Sequence, residues 1–167
     1  IYFIAPWGKI FPKKLFENVR FPEKETYEDL ATLYKLYLQC EKICCSDEKK
    51  YYYCIRENSL TTQNFSEKHF YRVLHADQMP NDIVAKYPDL YMAGIARKTH
   101  DRLATLFRLI SSEQKYPKEE MEIKKFLKEN QKVIFHNKYV NIKDKLALIS
   151  FSLGDGFAKF LWKIYKK

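Results

Sequence analysis

At 167 residues, with 46% hydrophobic and 16% aromatic side chains, the chain has one domain's worth of material and ample apolar mass for a packed core; this is not a disordered composition. Its four glycines are too few for the Gly-rich phosphate cradle and tight turns of a complete nucleotide-binding fold. The formal net charge of +9 implies an anionic partner, whether nucleic acid, anionic lipid or a phosphorylated substrate.

That charge is unevenly placed. Residues 1–65 hold 10 Lys/Arg against 9 Asp/Glu, whereas residues 66–167 hold 20 against 12. The chain starts at Ile1 without a methionine, so a processed or truncated N-terminus is expected. Its opening apolar residues are too few, and lack the basic flank, for a signal peptide. No apolar run approaches the ~20 residues of a spanning helix; the nearest, Leu146 to Trp162, is broken by Asp155 and Lys159. Cys40, Cys44, Cys45 and Cys54 cluster in one stretch without a histidine or a paired C-x-x-C spacing. The expectation is buried, reduced thiols in a cytoplasmic protein, and no metal site.

In chain order, residues 1–65 read as mixed α/β. Pro12 to Phe16 suggests a short helical turn with Pro at a tolerated position. A loop follows at residues 21–25. A helix then begins at Tyr27, with Leu30, Leu33, Tyr34, Tyr37 and Leu38 on one buried face. Lys42 to Cys45 and Lys50 to Arg56, separated by Ser46-Asp47-Glu48-Lys49, carry a β-hairpin signal. From Ser66, a candidate cap, the texture turns helical. Pro88 opens a helix with Leu103, Leu106, Phe107 and Ile110 at 3.6-residue spacing, and Pro117 opens another. Asn141 caps a further one, with Asp144 at the position of a capping carboxylate. Gly154 breaks the chain before a last helix. His69, His75, His100 and His136 are scattered and read as structural. The expected fold class is α+β, mostly α: residues 1–65 with the hairpin, then the basic helical region 66–167.

One string is specific in its order. Trp7-Gly8-Lys9-Ile10-Phe11 is followed by Phe16, Arg20-Phe21-Pro22, Tyr27-Glu28-Asp29, and then Tyr51 to Thr61, which includes Tyr52-Tyr53, Arg56 and Ser59. It resembles the second half of the catalytic domain in bacterial family 2 glycosyltransferases of GT-A type. Many of these read Trp-x-Lys-Leu-aromatic, a short helix, Arg-Phe-Pro, an acidic Glu-Asp opening a helix, and a hairpin ending in Tyr-x-Tyr-x-x-Arg-x-x-Ser. Residues 66–167 resemble the family's C-terminal appendage only loosely, most of all in Lys143-x-Lys145-Leu146-Ala147-Leu148 and the aromatic, basic tail.

The resemblance implies inverting transfer of a sugar from a nucleotide-sugar donor to a glycan or lipid-linked acceptor, as in surface polysaccharide assembly, on the inner side of the cell membrane. It makes Asp29 the catalytic residue, a general base on the acceptor hydroxyl. The same carboxylate also reads as the third position of a capping box begun by Thr26, and the two roles can alternate. Glu28, Lys9, Trp7, Arg56 and Ser59 become substrate-binding candidates: Arg56 for a donor phosphate or a loop acid, Lys9 for the Glu28-Asp29 carboxylates. Trp7 reads as either a core aromatic or a sugar platform. Gly8 stands where the family often has Asn. No Asp-x-Asp is present to hold the divalent metal (Mg or Mn) against the donor diphosphate, so the nucleotide-binding half belongs upstream and the fragment alone is expected to be inactive.

The last helix sets Phe157, Phe160, Leu161, Ile164 and Tyr165 on one face, with Lys159, Lys163, Lys166 and Lys167 elsewhere and Trp162 as an interfacial anchor. The expectation is core packing of this stripe on Leu146, Ile149 and Leu153 with lysines snorkelling outward, and peripheral contact with anionic membrane as a second role. The alternative from another class is a non-enzymatic basic helical module that binds nucleic acid or anionic membrane. Spread of the basic residues over all helices, without a zinc finger or other recognition motif, argues against nucleic acid.

Overall fold

The computed structural model describes residues 4–54 and 63–165, with side chains through Leu161. The chain divides into two compact units, Ile1–Asn64 and Phe65–Lys167.

In the first unit, a 3₁₀ turn at Lys13–Phe16 precedes helix α1, Glu28–Tyr37. Leu30, Ala31, Thr32, Leu33, Tyr34 and Leu36 of α1 are all buried. Leu15, Leu33 and Leu36 form a small core, closed by Phe11, Phe16, Val19, Tyr37 and Cys40. Phe11 meets Phe16 edge-on with centroids 5.9 Å apart, a favoured aromatic geometry. Gln39 ties the two pieces together, donating through Nε2 to Leu15 O at 3.4 Å and Lys35 O at 3.0 Å. Burial, with Cys40 and Cys45 nearby, raises the Tyr37 phenol above its usual value.

Several expectations for this unit are corrected. The chain is helical, not α+β: among the described residues there is no strand. Residues 42–54 are irregular and exposed throughout, while Ile55, Arg56 and Ser59 lie outside the described residues. A two-stranded hairpin is marginal without a third strand or a covering helix, and its residues favour strands only when a pleated face is buried; nothing buries residues 42–54. Cys44, Cys45 and Cys54 are accordingly exposed, not buried; Cys40 alone is half-buried, its Sγ on Leu36 O at 3.3 Å. The helix starts one residue later than expected, and Tyr27, not Thr26, occupies the cap position with a left-handed backbone (φ 58°, ψ 33°).

The second unit is a helical assembly: α2 (Tyr71–Lys86), α3 (Tyr91–Ile110), α4 (Pro117–Glu129), α5 (Gln131–His136), α6 (Ile142–Ser152) and α7 (Asp155–Tyr165). Central α3 presents Leu103, Leu106, Leu109 and Ile110 to a core completed by Tyr116, Ile123, Leu127, Ile134, Val140, Leu148 and Ala158. Its ends follow local chemistry. Ser66 N–H donates to His69 Nδ1 at 3.0 Å ahead of α2. Pro88 leads a 3₁₀ turn into α3, and Pro117 starts α4. Asn141 Oδ1 accepts the Asp144 N–H at 2.8 Å, while its Nδ2 donates to Asp144 Oδ2 at 2.7 Å. Replacing Asn141 by Ala removes both bonds and is expected to lower the melting free energy by ~1 kcal/mol, measurable by chemical denaturation; an unchanged midpoint would show α6 indifferent to its cap. Gly154, at φ +112°, separates α6 from α7.

The last helix does not pack as expected. Ala158 is fully buried, but Phe157, Phe160 and Leu161 are exposed, as are Leu146, Ile149 and Leu153. α7 is seated through its small residue, and the aromatic stripe is left outside the core. No helix among the described residues is long and apolar enough to cross a membrane.

Candidate functional site

The residues of the specific string occupy the first unit. Phe11, Phe16 and Phe21 form its aromatic floor: Phe16 lies 5.9 Å from Phe11 and 6.3 Å from Phe21, centroid to centroid. Phe11 and Phe16 pack with Leu33 and Leu36 of α1, so the motif supports the helix that carries Asp29. Glu28 and Asp29 are the first two residues of that turn, both half-buried. Asp29 Oδ1 accepts the Leu30 N–H at 2.7 Å. The carboxylate therefore satisfies one orphan donor of the helix start and stands at the end whose dipole favours the ionised form. Tyr27, one residue after Thr26, holds the cap position of the helix, and Asp29 accepts the N–H of its own neighbour. Two non-glycine residues before α1, Lys24 (φ 64°) and Tyr27 (φ 58°), have left-handed backbones, a conformation that costs an L-residue about 1 kcal/mol or more.

Trp7 and Lys9 form a second group. Trp7 is half-buried, with Tyr51 stacked on it (centroids 5.5 Å apart, planes at 17°) and Tyr53 tilted against it at 5.0 Å. Lys9 Nζ donates to Ala5 O at 2.7 Å and lies 5.9 Å from the Trp7 ring centroid. The choice between core aromatic and sugar platform resolves into a surface aromatic cluster: Tyr51 and Tyr53 face Trp7, and Tyr52 is 94% exposed. The two-residue alternation expected of a strand is what groups Tyr51 with Tyr53, although no ladder forms. The sequence reading missed these two as partners of Trp7.

Gly8, between Trp7 and Lys9, has φ +66°, in the region glycine enters freely and Asn tolerates better than most residues. Asn, often found here in the family this string resembles, is among the side chains best tolerated at such a φ. A Cβ built at Gly8 would meet Tyr51 Cβ at 3.7 Å, an ordinary contact. Gly8→Ala is expected to cost ~1 kcal/mol and Gly8→Asn clearly less, as read by thermal unfolding. Equal costs would mean that the side chain, not φ, sets the penalty.

Arg56 and Ser59 lie outside the described residues. No group of three or more His, Cys, Asp or Glu able to hold a metal ion occurs among the described residues. The described residues therefore offer no such group to the divalent metal that the family resemblance implies, and no chemical step on this chain is routed through one.

Over 58 residues the chain is 38% identical to the glycosyltransferase GlyA of Streptococcus pneumoniae serotype 4. No family model matches the chain, and no solved structure matches it. The match covers 35% of this chain and spans only 8% of GlyA, relating part of the chain to a glycosyltransferase.

Proposed function

We propose that this chain is the acceptor-side end of a family 2 glycosyltransferase of GT-A type, with Asp29 as general base. What supports the reading most is the half-buried Asp29 carboxylate at the start of α1, oriented by the Leu30 N–H, within a string that resembles that family. In the proposed step, Asp29 takes the proton of an acceptor hydroxyl as the oxygen bonds to the anomeric carbon. The bond from that carbon to the nucleoside diphosphate breaks, and the diphosphate leaves with the electron pair. The anomeric configuration inverts, and Asp29 returns its proton to solvent. Such a base needs an ionised carboxylate within hydrogen-bond reach of one hydroxyl, and a helix N-terminus provides both charge and position.

Glu28 adds negative charge beside the base. Tyr51, Tyr52 and Tyr53 offer exposed ring surface on which an acceptor sugar can stack, with Trp7 behind Tyr51 and Tyr53 and Lys9 near the Trp7 ring. The nucleotide-binding half of the intact enzyme is assigned the donor nucleotide sugar and its divalent metal; Arg56 and Ser59 are candidates beside the active site, Arg56 for a donor phosphate or a loop acid. The acceptor is a glycan or lipid-linked sugar.

The test uses the intact enzyme that carries this chain. It should release nucleoside diphosphate from one donor in a nucleotide-sugar panel, and only when acceptor is present. No acceptor-dependent release with any donor would sink the reading.

A further inference from the structure

Helix α6 is apolar on two sides. Leu148 is buried, and Ala147 and Phe151 pack on the core, with Phe151 4.7 Å from Phe107. On the other side Ile142, Leu146, Ile149 and Leu153 repeat at i, i+4, i+7 and i+11, one stripe along the helix. All four are exposed, between 42% and 67%. Across Gly154, α7 repeats the pattern: Ala158 is fully buried while Phe157, Phe160 and Leu161 are open, and Ile164 and Tyr165 continue the same register in sequence. Exposed apolar stripes of this kind mark interaction surfaces.

Charge identifies the occupant. At 3.6 residues per turn, Lys143 and Lys145 fall on either side of the α6 stripe. Residues 142–167 carry six lysines against two aspartates, and both aspartates are paired with side chains of this unit. Asp144 accepts from Asn141 and lies 3.1 Å from His100 Nδ1; Asp155 accepts from Lys124 at 2.6 Å. Lys124 also donates to Glu120 of α4 at 2.7 Å, which ties the start of α7 to α4. A second copy of this chain would bring the same positive unit, with 20 Lys/Arg against 12 Asp/Glu in residues 65–167, against its like. Apolar stripes with basic flanks are instead complementary to an anionic bilayer surface, where side chains enter the acyl boundary and lysines reach the headgroups.

We infer that the exposed stripes of α6 and α7, flanked by Lys143 and Lys145, seat this chain on an anionic lipid surface. This goes beyond the catalytic proposal and does not rest on it. The experiment is co-sedimentation of the full chain with vesicles of phosphatidylcholine containing phosphatidylglycerol, against vesicles of phosphatidylcholine alone. Binding is expected to the anionic vesicles only and to weaken with salt. The double variant Ile149→Glu/Phe160→Glu is expected to lose more than ~tenfold in partitioning. Both sites are exposed, so helical circular dichroism should be unchanged; the apolar variant Ile149→Leu/Phe160→Leu should retain binding and serves as the control should the Glu variant fail to fold. Absence of binding to anionic vesicles overturns the inference. So does binding that the Glu variant retains, which would move it to other lysines. A dimer in solution that the same variant splits would give the face to a second copy instead.

Discussion

Asp29→Asn is expected to lower acceptor-dependent turnover by the intact enzyme by about 10²–10⁴-fold, the range for loss of a positioned general base. The amide keeps an oxygen for the Leu30 N–H, which Asp29 Oδ1 now accepts at 2.7 Å, so that bond can persist while the charge–dipole contribution, ~0.3–1 kcal/mol, is lost. Glu28→Gln serves as a comparison. It removes a charge from the same turn, and as a neighbour of the base it should reduce turnover far less. The decisive reading is the split between turnover and melting temperature. Large loss of rate with a small shift in melting supports a base; unchanged rate leaves Asp29 as a helix-start residue and removes the proposed mechanism. A matched loss of both would mean that the first turn of α1 had come apart, and Asp29→Glu would then be the informative variant.

What the sequence carried legibly was local chemistry. Pro88, Pro117, Asn141 with Asp144, and Gly154 each act within a few residues of themselves, through a locked φ, a side-chain acceptor or a left-handed backbone. All four mark helix ends in the structure. The hairpin was not legible, because the β preference of Ile43 or Tyr51–Tyr53 expresses itself only where a second layer covers the face. The last helix shows a different limit. Its 3.6-residue period states which residues share a face, and says nothing of which way that face turns. Ala158 took the core position, and the phenylalanines were left outside. At the candidate site, Asp29 was legible as a helix-start carboxylate, but the helix start was read one residue early. The left-handed Tyr27 that shifts the cap by one residue has no signal in a side chain that ordinarily avoids that region. The pairing of Arg72 with Asp101 was invisible for another reason: the two stand 29 residues apart, and no spacing rule joins them.

Asp101→Asn is expected to destabilise the Phe65–Lys167 unit by ~3–5 kcal/mol, the usual cost of breaking a buried ion pair from one side. Asp101 is 0% exposed and receives two guanidinium groups: Arg72 Nε from α2 at 2.7 Å, and Arg97 from its own helix at 2.5 Å. The substitution preserves shape and leaves both cations short of their counter-charge. A second pair in the same unit provides the control. Arg102 donates to both oxygens of Asp77 at 2.8 and 2.7 Å and stacks 4.0 Å from the Phe126 ring, but the Asp77 side chain is 36% exposed, so water can compensate and Asp77→Asn should cost nearer ~1 kcal/mol. Urea denaturation separates the two. For a unit of this size each kcal/mol lowers the melting temperature by roughly 4–8 °C, so Asp101→Asn should melt well below Asp77→Asn. If the costs are equal, burial is not what gives the Asp101 pairs their strength. The triple change Asp101→Leu, Arg72→Met and Arg97→Met should recover much of the loss, because it removes the stranded charges along with their partner. Failure to recover would show that these residues hold α2 against α3 by hydrogen-bond geometry that apolar packing cannot replace.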